Sequence, residues 1–361
     1  MAQAAEAFSA TERGYRIASR NGEPAGLPLV IQPGESSDVG RLCAWLRANA
    51  DWTQDRLVEH GAILFRGFAV DSALDFERIA RAIDDELKNE YLGTSPRAGL
   101  TDYVFTASEL PPYYPIPQHC EMSFVAEPPR RVFFCCLLEP AAGSGETPLV
   151  DFRKVYRDLD PEVRRRFEEG GIRIVRNYSG PEGGGRLDLW KLKRWDEMFL
   201  TTDRAAVEAK CREQHFEVQW LPHGGLRLIS TQPVYRDHPQ TGERVWHNHT
   251  QVFHITAASG EYRRIYRLRP SLRSWALWQV SRAMVRLARA TKSSDELSMH
   301  CTYADGREIP DADMEHVRDA IWKHMVISPW RRGDVVAIDN HSVAHGRLPY
   351  SGARQVAVCW A

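Results

Sequence analysis

Two periodicities alternate along the chain. Over 36–50 the apolar residues Val39, Leu42, Cys43 and Leu46 recur at three and four, the stripe of one helix face, with Ser and Asp ahead of them as caps. The segment 61–68 breaks that rhythm: it is short, apolar and bounded by glycines, which predicts a buried strand. Helical spacing returns over 71–87 through Phe76, Ile79, Ala80, Ile83 and Leu87. From Asp102 onward the runs become short and strand-like, at 103–106, 131–138, 172–175, 226–230, 335–339 and 355–360. Turn residues separate them, as in Glu-Pro-Ala-Ala-Gly-Ser-Gly over 139–145. Helical stretches intrude at 158–169, 202–214, 271–290 and 311–324. Residues 1–25 are polar and irregular and read as a flexible arm. The pattern predicts a mainly β fold, an antiparallel strand core with helical insertions, forming one domain over 26–361.

Composition narrows the partners. The 361 residues carry 47 Lys+Arg against 48 Asp+Glu, a net charge of −1. That balance argues against a nucleic-acid partner and against a membrane-surface protein. No run of about 18 apolar residues exists to span a bilayer. The first residues, Met-Ala-Gln-Ala-Ala-Glu-Ala-Phe, lack a basic stretch followed by an apolar one, so no signal peptide is readable. A cytoplasmic protein is expected. The seven cysteines include no Cys-x-x-Cys pair, and Cys135-Cys136 sits in an apolar run where thiols pack as small hydrophobes.

The most informative residues are Gln118-His119-Cys120-Glu121-Met122. In an extended segment, His119 and Glu121 share a face because strand side chains alternate. Imidazole and carboxylate together are two thirds of a facial metal triad, which needs one more imidazole and leaves open positions on the ion. The same pattern also describes a surface histidine beside a glutamate. Near the other end, Gly333-Asp334 launches the apolar run 335–339, which ends in a polar patch containing His341 and His345. Nine residues beyond His345, Arg354 opens the final run. A forked, permanently charged guanidinium suits the far end of a dicarboxylate. The plain alternative is a solvated strand-end arginine.

Several stretches, taken in order, carry a resemblance. They are Gly61-Ala-Ile-Leu-Phe-Arg-Gly-Phe68, Ser95-Pro96-Arg97, His119-Cys120-Glu121-Met122-Ser123, Gly143-Ser-Gly-Glu-Thr-Pro148, His238-Pro-Gln-Thr-Gly-Glu-Arg-Val-Trp-His-Asn248, and Gly333-Asp-Val-Val-Ala-Ile-Asp-Asn340 through Arg354. Together they resemble the TauD/TfdA family of iron(II)- and 2-oxoglutarate-dependent oxygenases, especially its SyrP-like and clavaminate-synthase-like branch, over roughly residues 55–361. The resemblance implies His119, Glu121 and His345 as iron ligands. His345 is preferred to His341 because the family places the ligand in an Ala-His-Gly unit. It also implies Thr147 as a hydroxyl contact to 2-oxoglutarate and Arg354 as the partner of that cosubstrate's distal carboxylate. Fe(II), 2-oxoglutarate and O2 are the implied cofactors. The implied fold is a double-stranded β-helix, a cupin-like jelly roll whose mouth holds the metal. Helical insertions near 180–215 and 260–325 would form its lid. Arg97, Trp246 and Asn248 are the substrate-side candidates, with an ion pair an equally good reading of Arg97. His247 and His249 read as structural.

Two departures sharpen the expectation. Most members carry Asp where this chain has Glu121; either carboxylate binds iron, whereas Gly or Ala there would admit a halide. Sulfonate-using members carry a second arginine four residues after the cosubstrate arginine, and here that position is Val358, so taurine is not the expected substrate. The implied reaction is oxidation, chiefly hydroxylation, of an unactivated C–H bond in an amino-acid-type small molecule, free or presented on a carrier protein, in specialised metabolism. Arg331-Arg332 and the cationic stretch 282–289 are the candidates for a basic carrier-facing patch. A zinc hydrolase on a similar barrel would leave Thr147 and Arg354 without purpose. A catalytically inactive binding module conflicts with the complete ligand set.

Overall fold

The computed structural model describes residues 10–12, 15–19, 26–93, 95, 97–141, 143–181 and 194–361. Pro96 of the quoted motifs, and 182–193 within the expected lid, lie outside them. The larger sheet has eight strands in the order Ala10–Glu12, Tyr15–Ser19, Leu29–Pro33, Ala62–Phe65, Val335–Asp339, Arg131–Leu138, Gln355–Trp360 and Phe105–Thr106. Neighbours are antiparallel except Leu29–Pro33 beside Ala62–Phe65.

Alternation along Arg131–Leu138 explains why this run is apolar almost throughout. Phe133 and Cys135 face one core with Phe65, Ala337 and Cys359. That core is closed by the helix Val39–Ala48, through Leu42 and Leu46, and by Ala73–Ile83, through Phe76 and Ile79. Val132, Phe134 and Cys136 face a second core on the other side. A strand buried on both faces has no polar position to spare. Asp38 and Ser72 cap the two helices by accepting from the backbone N–H groups of Arg41 and Asp75; the first of these caps was expected from the Ser and Asp ahead of Val39.

The second core is shared with two smaller sheets. One contains Glu217–Trp220, Leu226–Gln232, Ile172–Tyr178 and Met299–Thr302; the other contains Ile116–His119, Val343–Arg347 and Leu149–Asp151. The strands Arg131–Leu138, Val335–Asp339 and Gln355–Trp360 have the bounds their apolar runs predicted. The three-stranded sheet was not anticipated, nor was the helix Ala50–His60; Ala257–Leu268 overlaps the start of the helical insertion expected near 260–325.

The expected irregular arm is partly regular. Tyr15–Ser19 pairs along its length with Leu29–Pro33, and Tyr15 and Ile17 turn inward, the Tyr15 ring centroid 4.7 Å from that of Trp45. An alternation this short, between polar neighbours, gives little periodic signal. All seven cysteines are buried and unbridged. No helix among the described residues is long and apolar enough to cross a membrane.

One buried ion pair joins the strands that lead to the site. Arg66 donates from Nε to Asp334 Oδ1 at 3.0 Å and from Nη2 to Oδ2 at 2.7 Å, fixing the end of Ala62–Phe65 against the start of Val335–Asp339. This occupies the aspartate of the Gly-Asp turn as a structural group.

Candidate metal centre

His119 ends its strand directly opposite His345, its register partner in Val343–Arg347, and the two ring centroids are 4.6 Å apart. The ligand-type atoms of His119, Glu121 and His345 all lie within 4.8 Å of one another. His345 and Glu121 are buried; His119 is partly exposed, so the cluster has one open side. Gly346, beside His345, is required by crowding: a Cβ there would lie 2.5 Å from the Ile116 carbonyl oxygen.

Glu121 reaches the cluster differently from the alternation argument. The strand stops at His119, and Glu121 stands in the following turn, where Met122 adopts φ +51°. What fixes it is Asn340, which accepts from the Glu121 N–H at 2.6 Å and donates from Nδ2 to the carbonyls of Glu121 and Pro129, at 3.0 and 2.7 Å. Asn340 therefore positions a carboxylate 219 residues away in sequence. Replacing it with alanine should lower divalent-metal affinity about 10- to 100-fold, the usual range for such outer-shell partners. It should also lower stability by about 1–3 kcal/mol, because buried backbone groups lose their partner. Mn(II) titration and denaturant unfolding of Asn340→Ala check both; unchanged metal affinity would remove Asn340 from this role.

The protonation states suit metal ligation. Burial, reinforced by the neighbouring His345 ring, pushes His119 down to about 4, so it is neutral at physiological pH. Its Nδ1 lies 2.8 Å from the Pro117 carbonyl, which fixes the tautomer with Nδ1–H and leaves the Nε2 lone pair free. Burial alone would raise the Glu121 carboxyl, but Arg97 overcomes it and holds the group well below the usual carboxylate range. Arg97 Nη2 donates to Glu121 Oε2 at 3.0 Å and to the Tyr91 hydroxyl at 3.1 Å. Thus Arg97 is an ion-pair partner of Glu121, the second of the two readings its sequence position allowed. Two imidazoles and one ionised carboxylate form a donor set that fits a first-row divalent cation.

Thr147 and Arg354 are brought together beside the three-stranded sheet, Thr147 just before the strand Leu149–Asp151 and Arg354 just before Gln355–Trp360 of the larger sheet. Leu149 is the register partner of His345, and Thr147 lies two residues before it. Arg354 donates from Nη2 to Thr147 Oγ1 at 3.3 Å and from Nε to the Gly145 carbonyl at 2.8 Å. Gly145 has φ +65°, and a Cβ there would press on the Arg354 side chain at 3.0 Å. Burial, then the charge of Arg347, lower Arg354 to about 10, leaving it cationic at neutral pH. Among the described residues it pairs with no carboxylate.

The remaining candidates divide. Trp246 is fully buried, edge-on to Phe167 at 5.1 Å, and belongs to the core rather than to a substrate surface. Asn248 is likewise consumed internally: Nδ2 donates to the Val234 carbonyl, and Oδ1 accepts from the Thr250 N–H and hydroxyl. Both expectations of substrate contact are therefore corrected: Trp246 packs in the core, and Asn248 holds the 248–250 turn. His341 packs edge-on to His238 at 5.8 Å, away from the His119–Glu121–His345 cluster. His249, expected to be structural, instead borders that cluster, its ring 5.1 Å from His119 and its Nδ1 2.6 Å from the Ser123 hydroxyl. Trp330 and Arg347 were also missed. Trp330 Nε1 donates to Thr147 Oγ1 at 3.2 Å, and Arg347 organises the 108–114 loop through four backbone carbonyls.

Comparison with known proteins agrees with this geometry. The Taurine catabolism dioxygenase TauD, TfdA family matches residues 26–360. The dapdiamide synthesis protein DdaC of Enterobacter agglomerans is 31% identical over 302 residues, 84% of this chain and 82% of that one. A clavaminate synthase-like protein of Arabidopsis thaliana is 31% identical over 353 residues, 92% of this chain and 93% of its own. The crystal structure of PvcB from Pseudomonas aeruginosa superposes with a TM-score of 0.52 at 14% identity, covering 99% of this chain and 94% of that one. PvcB is described as an Fe, alpha-ketoglutarate dependent oxygenase from an isonitrile synthetic pathway.

Proposed function

The chain belongs to the TauD/TfdA family of iron(II)- and 2-oxoglutarate-dependent dioxygenases, and on that premise we propose that it oxidises an unactivated C–H bond of an amino-acid-type small molecule, chiefly by hydroxylation, in specialised metabolism. Its cofactors are Fe(II), 2-oxoglutarate and O2. The observation that carries the reading is the His119–Glu121–His345 cluster, built where the strands Ile116–His119 and Val343–Arg347 pair, together with the Arg354–Thr147 pair two residues before Leu149, the register partner of His345. The relative named for dapdiamide synthesis supports the specialised-metabolism setting.

In this reading His119, Glu121 and His345 hold the iron and leave its remaining positions open. Bound iron with 2-oxoglutarate and O2 supplies the oxidising power, with succinate and CO2 as the cosubstrate's products. Arg354 and Thr147 bind the distal carboxylate and so set the direction from which the cosubstrate enters. Arg97 keeps Glu121 ionised, and Asn340 keeps its backbone in place. The buried wall of Phe124, Phe134 and His249 around His119 and His345 excludes water from one side. The antiparallel three-stranded sheet, sharing its core with the larger sheet, supports a double-stranded β-helix with the metal at its mouth.

Glu121 fills the position a halide would need, and Val358 is fully buried in the final strand where sulfonate users carry an arginine. We therefore expect oxygen transfer even in high chloride, and no turnover of taurine. Mass spectrometry of products formed from an amino-acid panel, with and without chloride, tests this. Succinate released together with an oxygenated product supports the proposal; a chlorinated product overturns the role given to Glu121.

A further inference from the structure

The strand Ile172–Tyr178 buries an arginine completely. Arg176 has no exposed surface, and its guanidinium lies against two aromatic faces, 4.2 Å from the Phe124 ring centroid and 4.7 Å from that of Phe216. Nη1 donates to the Tyr178 hydroxyl at 3.2 Å. Nε and Nη2 are shielded from water and hydrogen-bond to nothing among the described residues. A buried cation without a counter-charge is unfavourable, and its contacts with the two rings return only part of that loss.

The idle donors are not scattered. Nε and Nη2 lie side by side on one edge of the guanidinium fork, the edge whose two parallel N–H bonds match the two oxygens of a carboxylate. Two rings separate the guanidinium from the proposed ligand His119. Phe124, which covers the guanidinium, packs edge-on to His249 at 4.9 Å, and His249 lies 5.1 Å from the proposed ligand His119. Arg354 already serves the cosubstrate end of the site, and Arg97 is committed to Glu121.

We propose that Arg176 reads the free carboxylate of the primary substrate. Phe124 and Phe216 lie against the guanidinium, and the incoming acid, on parting these two rings, supplies the counter-charge that none of the described residues supplies. The inference rests on the oxygenase reading and narrows its substrate class to a free acid. An aminoacyl group carried as a thioester has one carboxyl oxygen replaced by sulfur, and offers no α-carboxylate to a bidentate fork.

The test uses the full chain loaded with Mn(II) and 2-oxoglutarate, so that Arg354 is already occupied, with propionate as the acid probe and propionamide as its neutral isostere. Loading itself should raise the melting temperature; no rise overturns the oxygenase reading, and this inference with it. Propionate should then raise it further with concentration, as expected for a ligand of the folded state, and propionamide should not. In Arg176→Met, where the aliphatic stem stays between the rings, propionate affinity should fall at least about 30-fold. The response to Mn(II) and 2-oxoglutarate should persist in that variant, and ligand-free stability should be no lower than in the unaltered protein. A loading response without a propionate response, or equal responses to acid and amide, overturns the inference alone, whether or not the variant folds. Undiminished propionate binding by Arg176→Met overturns it too.

Discussion

Replacing His345 with alanine is expected to abolish substrate-dependent succinate release and to weaken Mn(II) binding by more than about 100-fold, beyond the range seen when only an outer-shell partner is lost. His345 supplies one of two imidazoles in a three-residue donor set, and its Nε2 stands 3.5 Å from Glu121 Oε2. Without it, His119 and Glu121 remain as two donors, and Arg97 is left as the only ion-pair partner of the carboxylate among the described residues. The fold should survive. The imidazole packs on Phe134 at 4.8 Å, and its removal trims a side chain at a polar, partly open cluster, at a cost on the order of 2 kcal/mol. His341→Ala is the matched control, since that ring packs against His238 outside the cluster and its loss should leave metal binding intact. Metal titration and succinate release on the two variants decide the matter. An active His345→Ala protein beside an inactive His341→Ala protein would reverse the assignment.

How far the sequence could be read depended on what each segment was selected for. Arg131–Leu138, Val335–Asp339 and Gln355–Trp360 are buried on both faces, so their apolar runs mark their limits well. Ile116–His119 and Val343–Arg347 carry His, Gly and Arg at buried or half-buried positions because they build the site, and that chemistry erases the period-two signal. Local spacing proposed the right pair in His119 and Glu121 for an incomplete reason, since the second residue is placed by Asn340 and not by strand alternation. The pairs that make the site, Glu121 with Asn340 and Thr147 with Arg354, are more than 200 residues apart, so only the family resemblance could join them. Trp246 and Asn248 misled because they neighbour the site-bordering His249 in sequence while their own side chains serve the core and a turn. Arg176 did leave a trace: Ile172, Ile174, Arg176 and Tyr178 share one face of a strand, and a charge among inward apolar positions marks a buried group in need of a partner.

Arg354→Ala should raise the 2-oxoglutarate requirement at least about 30-fold, because losing one partner of an enclosed guanidinium–carboxylate pair typically costs about 2–5 kcal/mol. The rest of the pocket explains why this residue outweighs Thr147. The Gly145 carbonyl fixes Nε, so the guanidinium is oriented before the cosubstrate arrives. Thr147 Oγ1 accepts from both Arg354 Nη2 and Trp330 Nε1, which occupies its two lone pairs and turns its own proton outward as a donor. The hydroxyl thus contributes one neutral donor, and Thr147→Val should cost on the order of 1 kcal/mol, or several-fold in affinity. Arg354→Lys should fall between the two, since an ammonium keeps the charge but loses the fork. Calorimetric titration of 2-oxoglutarate into each Mn(II)-loaded variant measures these losses directly. The metal affinity of all three should match the unaltered protein, because none of the changed side chains touches His119, Glu121 or His345. Equal losses from Arg354→Ala and Thr147→Val, or a loss in Arg354→Ala that falls on metal binding, would contradict this division of labour.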